Sequence, residues 1–291
     1  MARIRHLTLK NKLFNRLPER TWLKGSLKRQ HIYSSRLRNH RDLDIYLPPS
    51  YFHDPHRRYP VLYVHDGNNL FYPHIAFGGM PWHMDSCINR LVSHGLMEEI
   101  IVVGIYNTPG RAYEYTWTPM RSPYGFEGGG GETYAQFLIE EVKPLIDCDY
   151  RTKPDAHHTG VMGASLGGLI SFYLGLYYPY VFTRIGLVSP SLWWDHGHAL
   201  KQAHKMHPGL RLWLDMGTRE GNPRAPIARN GNIRNTRILK QILEREGYVN
   251  GFNLGYLEAK GGHHNEWHWG QRLHLILMFL YGTRPHMMVS R

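Results

Sequence analysis

The chain has 291 residues, 42% of them hydrophobic, and a formal net charge of +12. That length and composition give a globular chain with a sizeable core and exclude a disordered or collagen-like one. The charge is uneven: residues 1–41 hold twelve Lys and Arg against one acid, Glu19, which leaves the rest close to neutral.

This basic start reads as a solvated extension over residues 1–27, ahead of a single domain over residues 28–285. No nucleic-acid-binding motif accompanies the charge, so a nucleic-acid partner is not expected. No apolar stretch approaches the roughly 20 residues of a membrane span, and no secretory signal core opens the chain. Two cysteines, Cys87 and Cys148, make no disulfide framework and point to a reducing cytoplasm. Nothing in these numbers bears on oligomeric state.

Residues 29–34 and 42–47 read as short strands joined by a polar turn near Arg38 to Arg41, hence an antiparallel pair. Pro48 and Pro49 stop the second, because proline cannot donate to a ladder. Val61 to His65 is the next strand. Met84, Cys87, Ile88 and Leu91 form an i, i+3, i+4, i+7 stripe that predicts a helix over 83–94. Residues 100–105 are a continuous apolar run of the buried-strand type. Gly128 to Gly131 reads as a flexible loop before a helix over 132–146. Further strands fall at 159–162, 184–188, 210–215 and 252–257, and further helices at 166–177, 233–246 and 266–280. This alternation from residue 60 onward predicts an α/β fold with a mostly parallel central sheet of about eight strands, antiparallel first strands and helices on both faces. The span over 190–209 is short, so no large lid is expected.

The sharpest motif is Gly163-Ala164-Ser165-Leu166-Gly167-Gly168, between a strand pattern and an apolar helix. G-x-S-x-G in that setting is the nucleophile turn of the α/β-hydrolase fold. Small neighbours let the backbone bend and keep the Ser165 hydroxyl exposed. The opening helix supplies N–H groups and a dipole that favour negative charge, which makes the Leu166 N–H one oxyanion donor. A serine hydroxyl needs a base, and in this fold the order is serine, then acid, then histidine. The strand over 210–215 runs into Met216-Gly217-Thr218-Arg219-Glu220-Gly221. The last strand is followed by Gly261-Gly262-His263-His264-Asn265-Glu266, on a loop before the final helix.

The chain resembles the esterase family that groups esterase D-like, enterochelin-esterase-like and feruloyl-esterase-like hydrolases. The resemblance covers roughly residues 40–282. It rests on His65-Asp66-Gly67-Asn68-Asn69-Leu70-Phe71, Tyr113-Glu114-Tyr115-Thr116, Phe137 to Tyr150, Gly163 to Gly168, Asp215 to Glu220, and His264 to Arg272. It implies an α/β-hydrolase fold and a serine esterase acting on a small-molecule ester through an acyl-enzyme, with no cofactor. It places the acid just after a Gly-Thr pair, at Glu220, and the base five residues before Trp269, at His264. Asp215, Asp195 and His263 remain alternatives. It also points to the backbone N–H of Asn68 as the second oxyanion donor, in a loop that Asp66 is expected to organise through side-chain to backbone hydrogen bonds. Phe71, Tyr113, Trp117, Trp193 and Trp194 lie in loops expected at the carboxyl edge of the sheet, where aromatics would line a substrate pocket.

Three other readings use the same residues differently. Twenty histidines raise a metal site, but no H-E-x-x-H and no cysteine pair at ligand spacing is present, so no metal is expected. An acyltransferase would use the same Ser165, His264 and Glu220. A non-catalytic binding protein with a basic arm would keep the fold alone.

Overall fold

The computed structural model describes residues 24–123, 125–221 and 226–283. The first 23 residues of the expected basic extension lie outside them. Ten strands occur among the described residues: β1 (Ser26–Ser34), β2 (Asn39–Leu47), β3 (Val61–His65), β4 (Ile101–Ile105), β5 (Pro119–Ser122), β6 (Gly125–Gly128), β7 (Thr159–Ala164), β8 (Arg184–Val188), β9 (Arg211–Gly217) and β10 (Leu254–Ala259). Eight of them form one sheet in the order β1-β2-β4-β3-β7-β8-β9-β10. The pairings β1–β2 and β2–β4 are antiparallel and all the others parallel.

Alternate side chains of the central strands feed two cores, one on each face. Val61 and Tyr63 of β3 join Phe137, Leu138, Leu169 and Phe172 on one face, against helices Gly131–Gln136 and Leu166–Tyr177. Leu62 and Val64 join Ile88, Leu91, Ile276 and Leu280 on the other, against helices Met84–Ser93 and Leu273–Tyr281. Burial on both faces is why these strands read as unbroken apolar runs. No helix among the described residues is long and apolar enough to cross a membrane.

Four local features depart from the sequence expectation. The β1–β2 turn occupies residues 35–38, so Arg41 lies inside β2 rather than in the turn. Its guanidinium is buried and bonds both oxygens of Glu114, at 2.6 and 3.0 Å. A carboxylate facing it is what lets a cation sit in the interior. The helix beginning at Gly131 runs through a π segment, Phe137–Val142, into Lys143–Asp149. The wider turn accommodates Pro144, which has no N–H to give and would crowd a tighter one. The expected loop at Gly128 is the end of the β5–β6 hairpin, whose residues are too exposed to show a strand pattern. Finally, the last helix is two, Glu266–Gly270 and Leu273–Tyr281, broken where Arg272 turns inward.

A cleft of about 330 Å³ lined by Arg184, Arg211, Thr183 and Asn253 lies at the amino ends of β8 and β9, the edge opposite Ser165. Both arginines donate to the terminal carbonyls of the last helix, Arg184 to Leu280 and Arg211 to Phe279. Such carbonyls need outside donors, so the cleft is explained by helix capping.

Candidate active site

β7 ends at Ala164, and Ser165 takes φ 59° and ψ −119° before helix Leu166–Tyr177 begins. A residue with a Cβ pays strain for that turn, and the neighbours must be small. A Cβ on Gly163 would meet the Gly167 backbone at 2.8 Å, which explains the glycine spacing of the motif. The Ser165 N–H donates to the Val188 carbonyl of β8 at 3.0 Å and pins the bend to the sheet. The hydroxyl points outward, 2.9 Å from His264 Nε2 and 3.2 Å from Ser191 Oγ.

His264 and Glu220 come from loops stitched together after β9 and β10. Thr218 donates to the Ala259 carbonyl and Arg219 to that of Gly262. Gly217 sits so close to Gly262 that a Cβ there would lie 2.4 Å from its carbonyl oxygen. His264 Nδ1 is 2.7 Å from Glu220 Oε2. A carboxylate can only accept, so Nδ1 carries the proton and Nε2 is left to accept from Ser165. Trp269 packs its ring edge-on to His264 at 4.9 Å, a physical reason for the five-residue spacing. Asn265 caps the following helix by accepting from the His268 N–H.

Glu220 is buried, and its inner oxygen Oε1 accepts from the Gly217 N–H at 2.7 Å and from Ser189 Oγ at 2.5 Å. Burial alone would oppose its ionisation. The bond to His264, the charges of His264 and Arg272, and the Ser189 hydroxyl outweigh it, so the carboxyl is held below its ordinary range.

The other candidates are placed elsewhere. Asp215 is wholly buried, its oxygens taken by Trp213 Nε1, the Ser189 N–H and Arg272 Nη2. Asp195 is the second residue of helix Trp194–Gln202, with a left-handed φ of 46°, and makes no hydrogen bond to His264. His263 is exposed, its ring beside His268. Glu266, not among those candidates but two residues after His264, is the first residue of its helix, and its carboxyl is pushed up by burial, with nearby Asp66 adding to the effect.

The β3–β7 register, Val64↔Met162, brings the loop after β3 alongside the serine turn. Asn68 lies in the turn Gly67–Asn69 of that loop, and Leu166 is the first residue of the serine helix. Asp66 organises the loop differently from the sequence expectation. Its carboxylate takes a bidentate pair from Arg111, at 2.7 and 2.8 Å, and a bond from Asn107 Nδ2 at 2.6 Å, not from its own backbone. A nearly buried carboxylate gains more from a guanidinium fork than from a local N–H. Arg111 comes from a single helical turn, Arg111–Glu114, which no sequence pattern announces.

The sequence profile of the Putative esterase family matches residues 34–280. The chain belongs to that family. It is an ester-hydrolysing enzyme. The uncharacterized protein YbbA of Bacillus subtilis is 29% identical over 264 residues, covering 89% of this chain and 98% of YbbA. The ferri-bacillibactin esterase BesA of the same organism is 30% identical over 184 residues, 59% of this chain and 61% of BesA. The crystal structure of the BES protein from Bacillus cereus superposes with a TM-score of 0.70 at 21% identity, covering 91% of this chain and 98% of that one. This structural likeness is one of α/β-hydrolase fold.

In this esterase the five aromatic residues proposed to line a pocket divide by burial. Phe71 and Trp194 are packed inside, Trp194 donating its Nε1–H to the Thr118 carbonyl. Trp117 stacks against Tyr173 and Tyr177 of the serine helix. Tyr113 and Trp193 remain about half exposed, at 54% and 46%. Sequence reasoning missed Ser191, which lies beside Ser165, Ser189 and Arg272, which bond Glu220, and Arg111, which bonds Asp66, each far in the chain from its partner. Among the described residues no His, Cys, Asp and Glu group could hold a metal ion.

Proposed function

We propose that the enzyme is a serine carboxylic-ester hydrolase in which Ser165 is the nucleophile, His264 the general base and acid, and Glu220 the residue that orients and charges His264. One observation carries the reading: an unbroken chain from Ser165 Oγ to His264 Nε2 at 2.9 Å and from His264 Nδ1 to Glu220 Oε2 at 2.7 Å.

Ser165 Oγ attacks the ester carbonyl as its proton passes to His264 Nε2. The tetrahedral oxyanion is received by the backbone N–H groups of Leu166 and Asn68. Collapse breaks the acyl–oxygen bond, and the leaving alkoxide takes the proton from His264. Water then attacks the acyl-enzyme, giving its proton to His264 and releasing the acid as Ser165 is regenerated. None of these steps calls for a cofactor. The substrate is a small-molecule carboxylic ester; the BesA likeness makes siderophore esters the first class to try, with half-exposed Trp193 and Tyr113 as apolar contacts. Two unpaired thiols, Cys87 and Cys148, suit a cytoplasmic location.

The test is hydrolysis of p-nitrophenyl and siderophore esters by wild type and Ser165→Ala. Turnover should disappear in the variant and in wild type treated with a phosphonylating serine reagent, and should survive EDTA. Comparable turnover by Ser165→Ala would end the proposal.

A further inference from the structure

Glu220 is held by more than His264. Its inner oxygen sits in a buried cluster whose other members do not bond Ser165 Oγ: Ser189 just past β8, Asp215 in β9, and Arg272 between the last two helices. Ser189 Oγ donates to Glu220 Oε1 at 2.5 Å and accepts from Arg272 Nη2 at 2.6 Å and Trp269 Nε1 at 3.0 Å. That uses its one proton and both lone pairs, so the hydroxyl has a single orientation. Arg272 Nη2 also lies 2.8 Å from Asp215 Oδ1 and 3.4 Å from Glu220 Oε1. Trp269, which bonds Ser189, is the ring that packs on His264. Carboxylate and imidazole are thus both located relative to one serine oxygen.

Stability alone does not call for this arrangement. One guanidinium facing two carboxylates leaves a net negative charge in the interior, and buried ion clusters often return less than their desolvation costs. Arg272 Nε is itself buried without a partner. The cluster makes physical sense where a carboxylate must stay both fixed and charged.

We infer that Ser189 and Arg272 are positioning residues for ester hydrolysis: they clamp Glu220 Oε1 so that Oε2 stays aimed at His264 Nδ1, and Arg272 offsets part of the negative charge that His264 feels. The inference rests on the Ser165–His264–Glu220 reading. The charged and titratable groups facing the pair are Asp215 from β9, Arg272, His268 and Glu266 from the segment after the loop, His263 beside it, and Asp66 with Arg111 beyond Glu266. Among them Arg272 is the cation hydrogen-bonded to Glu220 itself.

The experiment is steady-state hydrolysis of p-nitrophenyl acetate across pH by full-length wild type, Ser189→Ala, Arg272→Gln and Arg272→Lys, with thermal unfolding to confirm the fold. Ser189→Ala and Arg272→Gln should lower kcat about tenfold or more while KM changes less than about twofold. The acid limb of kcat/KM should move to higher pH, most in Arg272→Gln, where Glu220 and Asp215 face each other without a cation. Arg272→Lys should bring the limb back toward wild type. If Arg272→Gln does not fold, Ser189→Ala, which deletes one oxygen, carries both readouts. A loss of kcat with the acid limb unmoved in the folded variants would reduce the cluster to a brace and overturn the inference. Ser165→Ala and Glu220→Gln run alongside: if they keep turnover, the triad reading fails and this inference with it; if they lose it while the cluster variants match wild type, only the positioning role fails.

Discussion

Glu220→Gln changes one atom and should cost far more than a hydrogen bond. The inner oxygen faces the Gly217 N–H at 2.7 Å, a donor that no rotation can remove. The introduced amide must therefore present its oxygen there and its NH2 to His264 Nδ1. That group donates, so Nδ1 becomes the acceptor and the proton moves to Nε2, which can then no longer accept from Ser165. The lost charge adds to the wrong tautomer. A carboxylate and an imidazolium with centres about 4 Å apart interact by about 4 kcal/mol at an effective dielectric near 20, roughly a thousandfold in rate. His264 is 36% exposed, so that dielectric rather than a drier value applies. With the tautomer included, the loss should approach the roughly ten-thousandfold that amidating the acid costs a serine protease triad. The assay is kcat on p-nitrophenyl acetate, with Asp195→Asn and Asp215→Asn as comparisons and thermal unfolding as the control. Asp195→Asn should stay within about threefold of wild type, as befits a residue with no bond to His264. Glu220→Gln keeping a tenth of wild-type kcat, or losing less than Asp195→Asn, would refute the reasoning.

Two further predictions concern stability. His65 is fully buried and burial pushes its imidazole down to about 3, with Asp66 opposing and Arg111 adding to the effect. Between the unfolded value near 6.5 and that folded value the unfolded chain binds a proton the folded chain refuses, so stability should decrease by about 1.6 kcal/mol as the pH is lowered from 6.5 to 5, and His65→Gln should flatten the slope of Tm against pH; parallel slopes would show that His65 is not the source. The second uses the backbone of Ser165: Ser165→Gly and Ser165→Ala should both be inactive, yet the glycine variant should be the more stable by about 1 kcal/mol, since strain of about 1–3 kcal/mol is relieved against a glycine entropy cost of about 0.5–1. Equal Tm values would mean that the turn is unstrained.

The sheet was legible in the sequence wherever side chains go to both faces. Val61–His65 and Arg184–Val188 carry an apolar signal at every position that matters, and their observed bounds agree with the expectation. Helix Leu166–Tyr177 was framed by the serine motif itself. β7 and β9 run two residues further than expected, through Gly163-Ala164 and Met216-Gly217, because backbone pairing continues where the apolar pattern fades. The β5–β6 hairpin left no pattern because most of its residues keep substantial exposure. Of the central residues, Ser165 announces itself by the glycines it needs. His264 and His263 are indistinguishable by type, and what separates them is the Gly217–Gly262 contact that fixes how the loop closes. Arg111, Ser189 and Arg272 were invisible because their partners lie 45, 31 and 57 residues away, and no periodicity encodes a hydrogen bond across such distances.

The carboxyl edge of the sheet concentrates backbone strain in a way that bears on how the site is held. β3, β7 and β8 are neighbours, and each is followed directly by a non-glycine residue with positive φ: Asp66 at 57°, Ser165 at 59° and Ser189 at 43°. An extended residue there would send its side chain on into one face of the sheet. The left-handed turn swings it over the edge instead, and the parallel register delivers all three side chains to the same place. Each turn is secured by a different group. Asp66 donates its N–H to the Tyr115 hydroxyl while its carboxylate accepts from Arg111, Ser165 donates its N–H to Val188, and Ser189 donates its N–H to Asp215. Ser165 is therefore fixed by main chain and glycine packing, while Glu220, whose loop is also stitched by main chain and a glycine contact, has its carboxylate located by the Gly217 N–H together with the side chains of His264, Ser189 and Arg272. The buried side-chain cluster of Ser189, Asp215 and Arg272 accordingly gathers around the Glu220 carboxylate, while the main-chain bend leaves the Ser165 hydroxyl clear of it.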